Sequence, residues 1–371
     1  MPAPVERILL LTSELSFRGS TILSLRLAQQ LALQDIEVVT LCNKRRKLSE
    51  ELTGNVRIIT LPGFDLPLWG RIITRTVLSN TVEQPPDIIH VVGPAMLPQG
   101  LRLARQLNCP LILHLTSQSE AEGLLLPADA EECRALACVS ESVRQAVSDR
   151  YDHLEQRVIL PGVPLDPELP ADVLQDDRVP VIGMAGPLEV IKGGSYFLRA
   201  CHRVIESGRQ IRVVVTGSGP EEKNLRRLAT SLELGDHVTF VDDGTCMTTY
   251  LSAIDIFCQP SVQQGFGVIM LEAMALGRPA IASGVGGLLS IIEDGRNGLI
   301  VPPSDSRALA DSILQLLDNV EQTRKIAVSG RNLVEDQFTV DRMTADMLTL
   351  YNDIATPRAP ETPSIPISDV R

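Results

Sequence analysis

The hydrophobic positions of this chain form short continuous runs that alternate with longer segments of helical spacing. RILLL at 7–11 is an apolar run of strand length, as expected for a parallel strand buried on both faces. The next segment, TILSLRLAQQLALQ, places apolar residues such as Ile22, Leu25 and Leu31 at helical spacing. Further strand-like runs follow, IEVVTLC, VRIITL, DIIHVV, PLILHLT and ALACVS, with helical stretches near 70–82 and 95–107. This alternation predicts right-handed βαβ crossovers and a parallel sheet.

The alternation breaks at PLDPELPADVLQDD, which is rich in proline and acids, and then restarts at VPVIGMAG. We therefore predict an α/β protein with two Rossmann-like halves. The predicted units are an N-terminal domain at 1–165, a linker at 166–179, a C-terminal domain at 180–335, an amphipathic helix at 336–355 and a disordered Pro-rich tail at 356–371.

One stretch of the second half, residues 259–301, has the order strand, Gly-rich loop, helix, strand and second Gly-rich loop. Gly265 and Gly267 let the backbone approach a ligand without an intervening side chain. A helix is predicted over 268–276, with Gly277 as its stop. The start of that helix lies at the Gly-rich loop, and such an end attracts phosphate.

The ordered motif PSVQQGFGVIMLEAMALGRPAIA resembles the donor-nucleotide site of retaining GT-B glycosyltransferases of family four (group one). The family pattern is P-S-x-x-E-G-F-G, with a second Glu eight positions after the first. The resemblance implies a GT-B fold, in which two Rossmann-like domains face each other across a cleft and the last helix crosses back. It also implies transfer of a sugar, with retention, from a nucleotide diphosphate sugar to an acceptor.

The resemblance assigns the diphosphate to the loop GPLEVIKGG, where Gly186, Lys192 and Gly193 match the family. A lysine beside two glycines at a helix start is well placed to neutralise phosphate. Pro187 stands where the family usually has a second cation, an arginine. A solvated loop lysine is the alternative interpretation of Lys192.

Two positions of the motif correspond to the family's paired glutamates. Glu272 corresponds to the Glu that accepts hydrogen bonds from the donor ribose; the alternative is an exposed helix glutamate, which the apolar run around it disfavours. Gln264 occupies the position of the Glu that contacts the donor sugar. Glutamine keeps the length and one acceptor but loses the negative charge, so its effect on catalysis stays open.

Other candidates rest on weaker signals. His114 ends the run PLILHLT and resembles the family's donor-sugar histidine, so Gln264, His114 and Lys192 form the predicted catalytic set; a structural histidine is the alternative, and His90 is a weaker candidate. Two further Gly-rich turns, SFRGS with Gly19 and TGSGP with Gly217 and Gly219, resemble donor-binding loops of the family. The predicted donor-binding set is Gly19, Gly186, Lys192, Gly193, Gly217, Gly219, Gly265, Phe266, Gly267 and Glu272. Pro161 and Ser290 are further departures from the family pattern.

Composition narrows the function classes. A net charge of -12 argues against a nucleic-acid binder. The seven cysteines contain no C-x-x-C pair, so we interpret them as reduced core residues of a cytoplasmic protein. There is no long apolar run and no signal-peptide pattern at the N-terminus. The five histidines are not spaced as metal ligands and no D-x-D motif stands out, so we expect no metal and no cofactor beyond the donor substrate.

Three function hypotheses remain at this point. The first is a retaining glycosyltransferase acting on a sugar or lipid-linked acceptor. The second is a noncatalytic GT-B protein that binds nucleotide sugar or a partner, which Pro187, Gln264 and Ser290 motivate. The third is a nucleotide-sugar epimerase with this fold. The basic run KRRK at 44–47 and the amphipathic stretch at 66–78 are consistent with peripheral contact at the inner membrane face, or with a solvated loop and a core helix.

Overall fold

The structure is a computed structural model, which describes residues 5–16, 18–46, 48, 50–65, 85–166, 173–175, 178–241, 246–263 and 265–355. Three predicted features lie outside these residues. They are the helix near 70–82 with the amphipathic stretch at 66–78, the tail at 356–371, and Gln264.

The first domain is built on a parallel sheet of seven strands in the order β3-β2-β1-β4-β5-β6-β7. Its strands are β1 (Arg7–Leu15), β2 (Glu37–Arg45), β3 (Arg57–Thr60), β4 (Ile88–Val92), β5 (Leu111–Leu115), β6 (Cys133–Cys138) and β7 (Glu155–Val158). Its helices are α1 (Gly19–Ala32), α2 (Glu50–Thr53), α3 (Leu97–Leu107), α4 (Gln118–Glu122) and α5 (Glu141–Ser148). Strands β1, β2, β4, β5 and β6 are buried over most of their length, which explains their apolar runs. The edge strands β3 and β7 are partly exposed.

The second domain is built on a parallel sheet of six strands in the order β10-β9-β8-β11-β12-β13. Its strands are β8 (Val181–Ala185), β9 (Arg212–Thr216), β10 (Val238–Val241), β11 (Ile256–Gln259), β12 (Ala280–Ser283) and β13 (Leu299–Val301). Its helices are α6 (Gly194–Glu206), α7 (Glu222–Ser231), α8 (Met247–Ser252), α9 (Val268–Ala275), α10 (Ser306–Asp318) and α11 (Val320–Gln337). The prediction of two parallel α/β sheets is confirmed.

The last helix, α12 (Val340–Ile354), packs on the first domain although it follows the second in sequence. The chain crosses back to the first domain beside Val163. The Val163 amide donates to the Phe338 carbonyl (2.8 Å), and the Val340 amide donates to the Val163 carbonyl (3.2 Å). Further along, Arg157 pairs with Asp353 at 2.8 Å. The crossing segment and this helix therefore join the two domains.

Part of the predicted linker packs with the second domain. Val173 and Leu174 are buried in its core. The buried carboxylate of Asp255 holds this segment, because it accepts from the Leu174 amide (2.9 Å) and from both terminal nitrogens of Arg178 (2.6 and 2.8 Å). A buried carboxylate needs such partners, so the bidentate arginine ties the linker to Asp255, the residue directly before β11.

Two predictions from composition concern the cysteines, expected to be reduced core residues, and the helices, expected not to span a membrane. None of the seven cysteines, all of which the structure describes, forms a disulfide, and six are buried. None of the helices in the described residues is both long and apolar enough to cross a membrane.

Candidate active site between the two domains

A cavity of about 600 Å³ lies between the two domains, where strands of both sheets end. Open parallel sheets place ligands at this edge. Loops of the first domain contribute one wall, through residues before α1 and before α4. The lining residues used below are Arg18, Gly19, Thr116, Glu120, Gly186, Pro187, Lys192, Gly265, Phe266 and Gly267.

Lys192 lies at the end of a short 3₁₀ turn, Val190–Lys192, two residues before the start of α6 at Gly194. Gly193 follows with a φ of 72°, in the left-handed region that glycine favours. Burial lowers the pKa of the Lys192 ammonium below its ordinary value, the nearby Glu189 raises it, and Arg18 lowers it further. A negatively charged ligand in the cavity would oppose this lowering of the pKa.

The predicted donor-binding glycines fall into two groups. Gly19, Gly186, Gly265 and Gly267 line the cavity. The other three glycines pack closely against backbone of the second domain. An added Cβ would lie 1.8 Å from the Pro260 carbonyl oxygen at Gly193, 1.9 Å from that of Gly186 at Gly217, and 2.3 Å from that of Leu188 at Gly219. These close approaches, together with hydrogen bonds such as Leu188 to the Ser218 carbonyl (2.8 Å), join the loops of the second domain.

The Gly-rich loop after β11 is joined to the lysine loop. The amide of Val262 donates to the Ile191 carbonyl at 2.8 Å. Gly267, with a φ of 83°, precedes α9, and all eight residues of that helix are buried. Phe266 lines the cavity and packs on Phe338, with ring centroids 5.8 Å apart. The start of α9 therefore faces the cavity while the helix itself belongs to the core.

Glu272 is buried and does not line the cavity between the domains, although the resemblance assigns it to the donor ribose. Its carboxylate pairs with Arg26 of α1, and both side chains are buried. The two residues help to line a second cavity of about 400 Å³ beside α8. The assignment of Glu272 to the donor ribose stays a prediction.

His114 belongs to a buried network. Its Nδ1 lies 3.2 Å from Nε2 of His90, whose Nδ1 lies 2.5 Å from the hydroxyl of Tyr351 on α12. Burial lowers the pKa of His114 to about 4 and that of His90 well below its ordinary value. Both imidazoles are therefore neutral at pH 7. The network links β4, β5 and α12, and the role of His114 toward a sugar stays a prediction.

The residue near His114 that lines the cavity is Thr116, which sequence reasoning missed. It follows the end of β5, two positions beyond His114. Its amide and hydroxyl donate to Oε2 of Glu120 at 2.7 and 2.9 Å, and the Ser117 hydroxyl accepts from the Glu120 amide at 3.3 Å. The signal S-x-x-E, typical of a helix start, was present in the sequence. Glu120 is the one carboxylate among the described residues that line the cavity.

Charged residues also meet across the cleft. Nη2 of Arg18, in the loop before α1, lies 2.5 Å from Oε1 of Glu189, in the loop before Lys192. Within the described ranges, no three His, Cys, Asp or Glu side chains form a group that could hold a metal ion. The expectation of a metal-free site stays a prediction.

Two family models match successive parts of the chain. A family model described as Glycosyltransferase Family 4 matches residues 17–167, and one described as Glycosyl transferases group 1 matches residues 179–319. D-inositol 3-phosphate glycosyltransferase of Stackebrandtia nassauensis is 28% identical over 338 residues, covering 80% of this chain and 75% of that protein. Alpha-D-kanosaminyltransferase of Streptomyces kanamyceticus is 28% identical over 181 residues, and the match spans 48% of this chain and only 47% of the relative.

Solved structures show the same fold. Anabaena HepE, solved in complex with UDP and glucose, has a TM-score of 0.76 at 18% identity, covering 94% of this chain and 100% of that one. Sucrose-phosphate synthase from Thermosynechococcus elongatus also has a TM-score of 0.76, at 22% identity, with 94% and 98% covered. Both halves of the chain match the two family models in order, and both domains have the neighbours' architecture. The chain therefore belongs to the family four, group one glycosyltransferases and has the GT-B fold.

Proposed function

We propose that this protein transfers a sugar from a nucleoside diphosphate sugar to an acceptor in the cleft between its domains. The observation that carries the proposal is the placement of Lys192 and the start of α9 on one cavity of about 600 Å³. A lysine and a helix start are both suited to the diphosphate, which becomes the leaving group. Family membership supports the same conclusion.

In this proposal the protein's main contribution is electrostatic. Negative charge develops on the diphosphate as the glycosidic bond breaks, and a preorganised ammonium and backbone amides stabilise it. The departing phosphate oxygen can take the proton of the acceptor hydroxyl, so no separate base is required. Retention of configuration, as the resemblance implies, and independence from metal ions are parts of the proposal.

The acceptor would enter from the first domain, whose loops form the other wall of the cavity. We infer a sugar or lipid-linked acceptor and a cytoplasmic enzyme that contacts the inner membrane face. Lys44, Arg45 and Arg46 support the membrane contact, because they are exposed at the end of β2. Sedimentation with vesicles containing anionic lipid tests it, with neutral vesicles as the control.

The test of the proposed function is a donor screen. Calorimetric titration with UDP-, GDP- and ADP-sugars should show binding of one nucleotide class. Slow release of the nucleoside diphosphate without acceptor should follow, and the released sugar should keep its anomeric configuration. Absence of binding across all three classes would contradict the proposal. An isomerised nucleotide sugar would favour an epimerase instead.

A noncatalytic nucleotide-sugar binder is the second candidate. Pro187, which lines the cavity without a charge, supports it, as does the loss of a carboxylate at position 264. Gln264→Glu separates the two hypotheses. If Gln264 is adapted to this enzyme's sugar, as we expect, the substitution lowers turnover because a donated amide hydrogen bond is lost. A gain of about tenfold or more would show decayed catalysis, and no turnover in either protein would favour the binder.

A further inference from the structure

Two positively charged side chains line the cleft from opposite domains, within the part of the chain that the structure describes. Arg18 comes from the loop before α1, and Lys192 comes from the turn before α6. A nucleoside diphosphate carries more negative charge than one lysine neutralises. Pro187, beside Lys192 on the same wall, supplies no charge. Any second cation for the diphosphate must therefore come from another part of the cleft.

The backbone at Arg18 leaves its side chain available for this role. Arg18 precedes α1 in an extended conformation (φ −131°, ψ 151°), and its side chain makes no capping hydrogen bond to the helix. The guanidinium reaches across the cleft to Glu189, a residue 171 positions away. Its side chain is 55% exposed, so the ion pair is worth little and can be exchanged for another anion at small cost.

Glu189 places Arg18 close to Lys192. The carbonyl of Glu189 accepts from the Lys192 amide at 3.0 Å, so both side chains leave the same tight turn. The charge of Arg18 lowers the pKa of Lys192, which shows that the two cations act on one region of the cleft. Two neighbouring cations with only one carboxylate between them favour an added polyanion.

We propose that Arg18 is the second diphosphate-binding cation, supplied by the first domain, and that Glu189 holds it until the diphosphate takes its place. The planar guanidinium suits bidentate binding of phosphate oxygens. Because Arg18 and Lys192 belong to different domains, a bound diphosphate would bridge the cleft. This proposal rests on the proposed function and names one residue from each domain that would hold the diphosphate.

Calorimetry on the full chain tests the proposal, with UDP, GDP and ADP and the matching monophosphates as probes. Arg18→Ala should weaken binding of the preferred diphosphate by about tenfold or more, and of its monophosphate by less than about threefold. Glu189→Gln should tighten diphosphate binding by about two- to fivefold, because the competing ion pair is removed. Arg226→Ala is the matched control. Arg226 is 53% exposed and pairs with Glu222 at 2.9 Å on α7, outside the lining of the cavity, so its loss should change affinity by less than about twofold.

The outcomes separate this proposal from the proposed function. Unchanged diphosphate affinity in Arg18→Ala, with strong loss in Lys192→Ala, would overturn the role of Arg18 and leave the function intact. Weaker binding in Glu189→Gln would overturn the exchange, since it would mean that Glu189 supports the site. Failure of the wild-type protein to bind any of the three diphosphates would contradict the proposed function and this inference together. Thermal unfolding of each variant shows whether it is folded.

Discussion

Arg26 and Glu272 form a buried ion pair that joins α1 of the first domain to α9 of the second. Their side chains are only 8% and 6% exposed, although the residues are 246 positions apart in sequence. Removing one partner of such a pair leaves the other charge buried, which is costly. The pair therefore favours one relative placement of the two helices, close to the cleft.

The first prediction concerns this ion pair. Arg26→Met should lower the free energy of unfolding by about 3–5 kcal/mol, because it removes the cation from a buried carboxylate. Combining it with Glu272→Gln should cost less than the sum of the two single changes. Urea denaturation of the four proteins measures the coupling energy. A coupling energy near zero would mean that the pair does not hold the domains.

The second prediction concerns the buried histidines. His114, with a pKa of about 4 in the folded protein, takes up a proton more readily when unfolded. A neutral buried histidine thus contributes stability that is present above pH 6.5 and lost as the pH falls toward 4. We expect the free energy of unfolding to drop over this range by roughly 3 kcal/mol from His114, with His90 acting in the same direction.

Denaturant titrations at several pH values measure this loss. His114→Gln should flatten the pH dependence between 6.5 and 4, whatever its effect on absolute stability. His153→Gln is the control, since that side chain is 67% exposed, and it should keep the wild-type slope. An unchanged slope in His114→Gln would show that the network does not control acid stability.

The third prediction compares two glycines. Gly217 has a φ of 135°, and an added Cβ would lie 1.9 Å from the Gly186 carbonyl oxygen. Gly217→Ala should therefore lower the free energy of unfolding by about 2 kcal/mol or more. At Gly19 the nearest atom to an added Cβ, on Val268, is 3.5 Å away, so Gly19→Ala should cost less than about 1 kcal/mol. Equal losses would contradict the division of the glycines into packing and cavity-lining groups.

Much of the fold could be predicted from local pattern. Buried parallel strands carry unbroken apolar runs, and the segments β1, β4 and β11 were recognisable for that reason. The short helices α4 and α8 were missed because five or six residues give too little periodicity.

The candidate site was harder to predict, because its contacts depend on distant parts of the chain. A strand pattern did not reveal that β5 ends so that Thr116, and not His114, lines the cavity. Nothing local in α1 indicates that Arg26 meets Glu272, or that Arg18 reaches Glu189. Such pairs form only once the two domains are placed together.

The fourth prediction concerns metal ions. Lys192 and the start of α9 would provide the charge compensation that a divalent ion supplies elsewhere. Activity on the donor found by the screen should therefore be unchanged by excess EDTA. A second assay with added Mg²⁺ or Mn²⁺ should give the same rate within about twofold. A strict requirement for either ion would contradict the proposed mechanism.

The most direct test of the central claim is the effect of Lys192→Ala on binding of a nucleoside diphosphate sugar. Calorimetry should show that the variant binds the preferred donor about ten- to a hundredfold more weakly, as expected when a charge-assisted hydrogen bond is lost. Its thermal unfolding should match that of the wild type, because the Lys192 side chain lines the cavity and is only half-buried. Equal affinity in the two folded proteins would contradict the assignment of this cleft to the diphosphate.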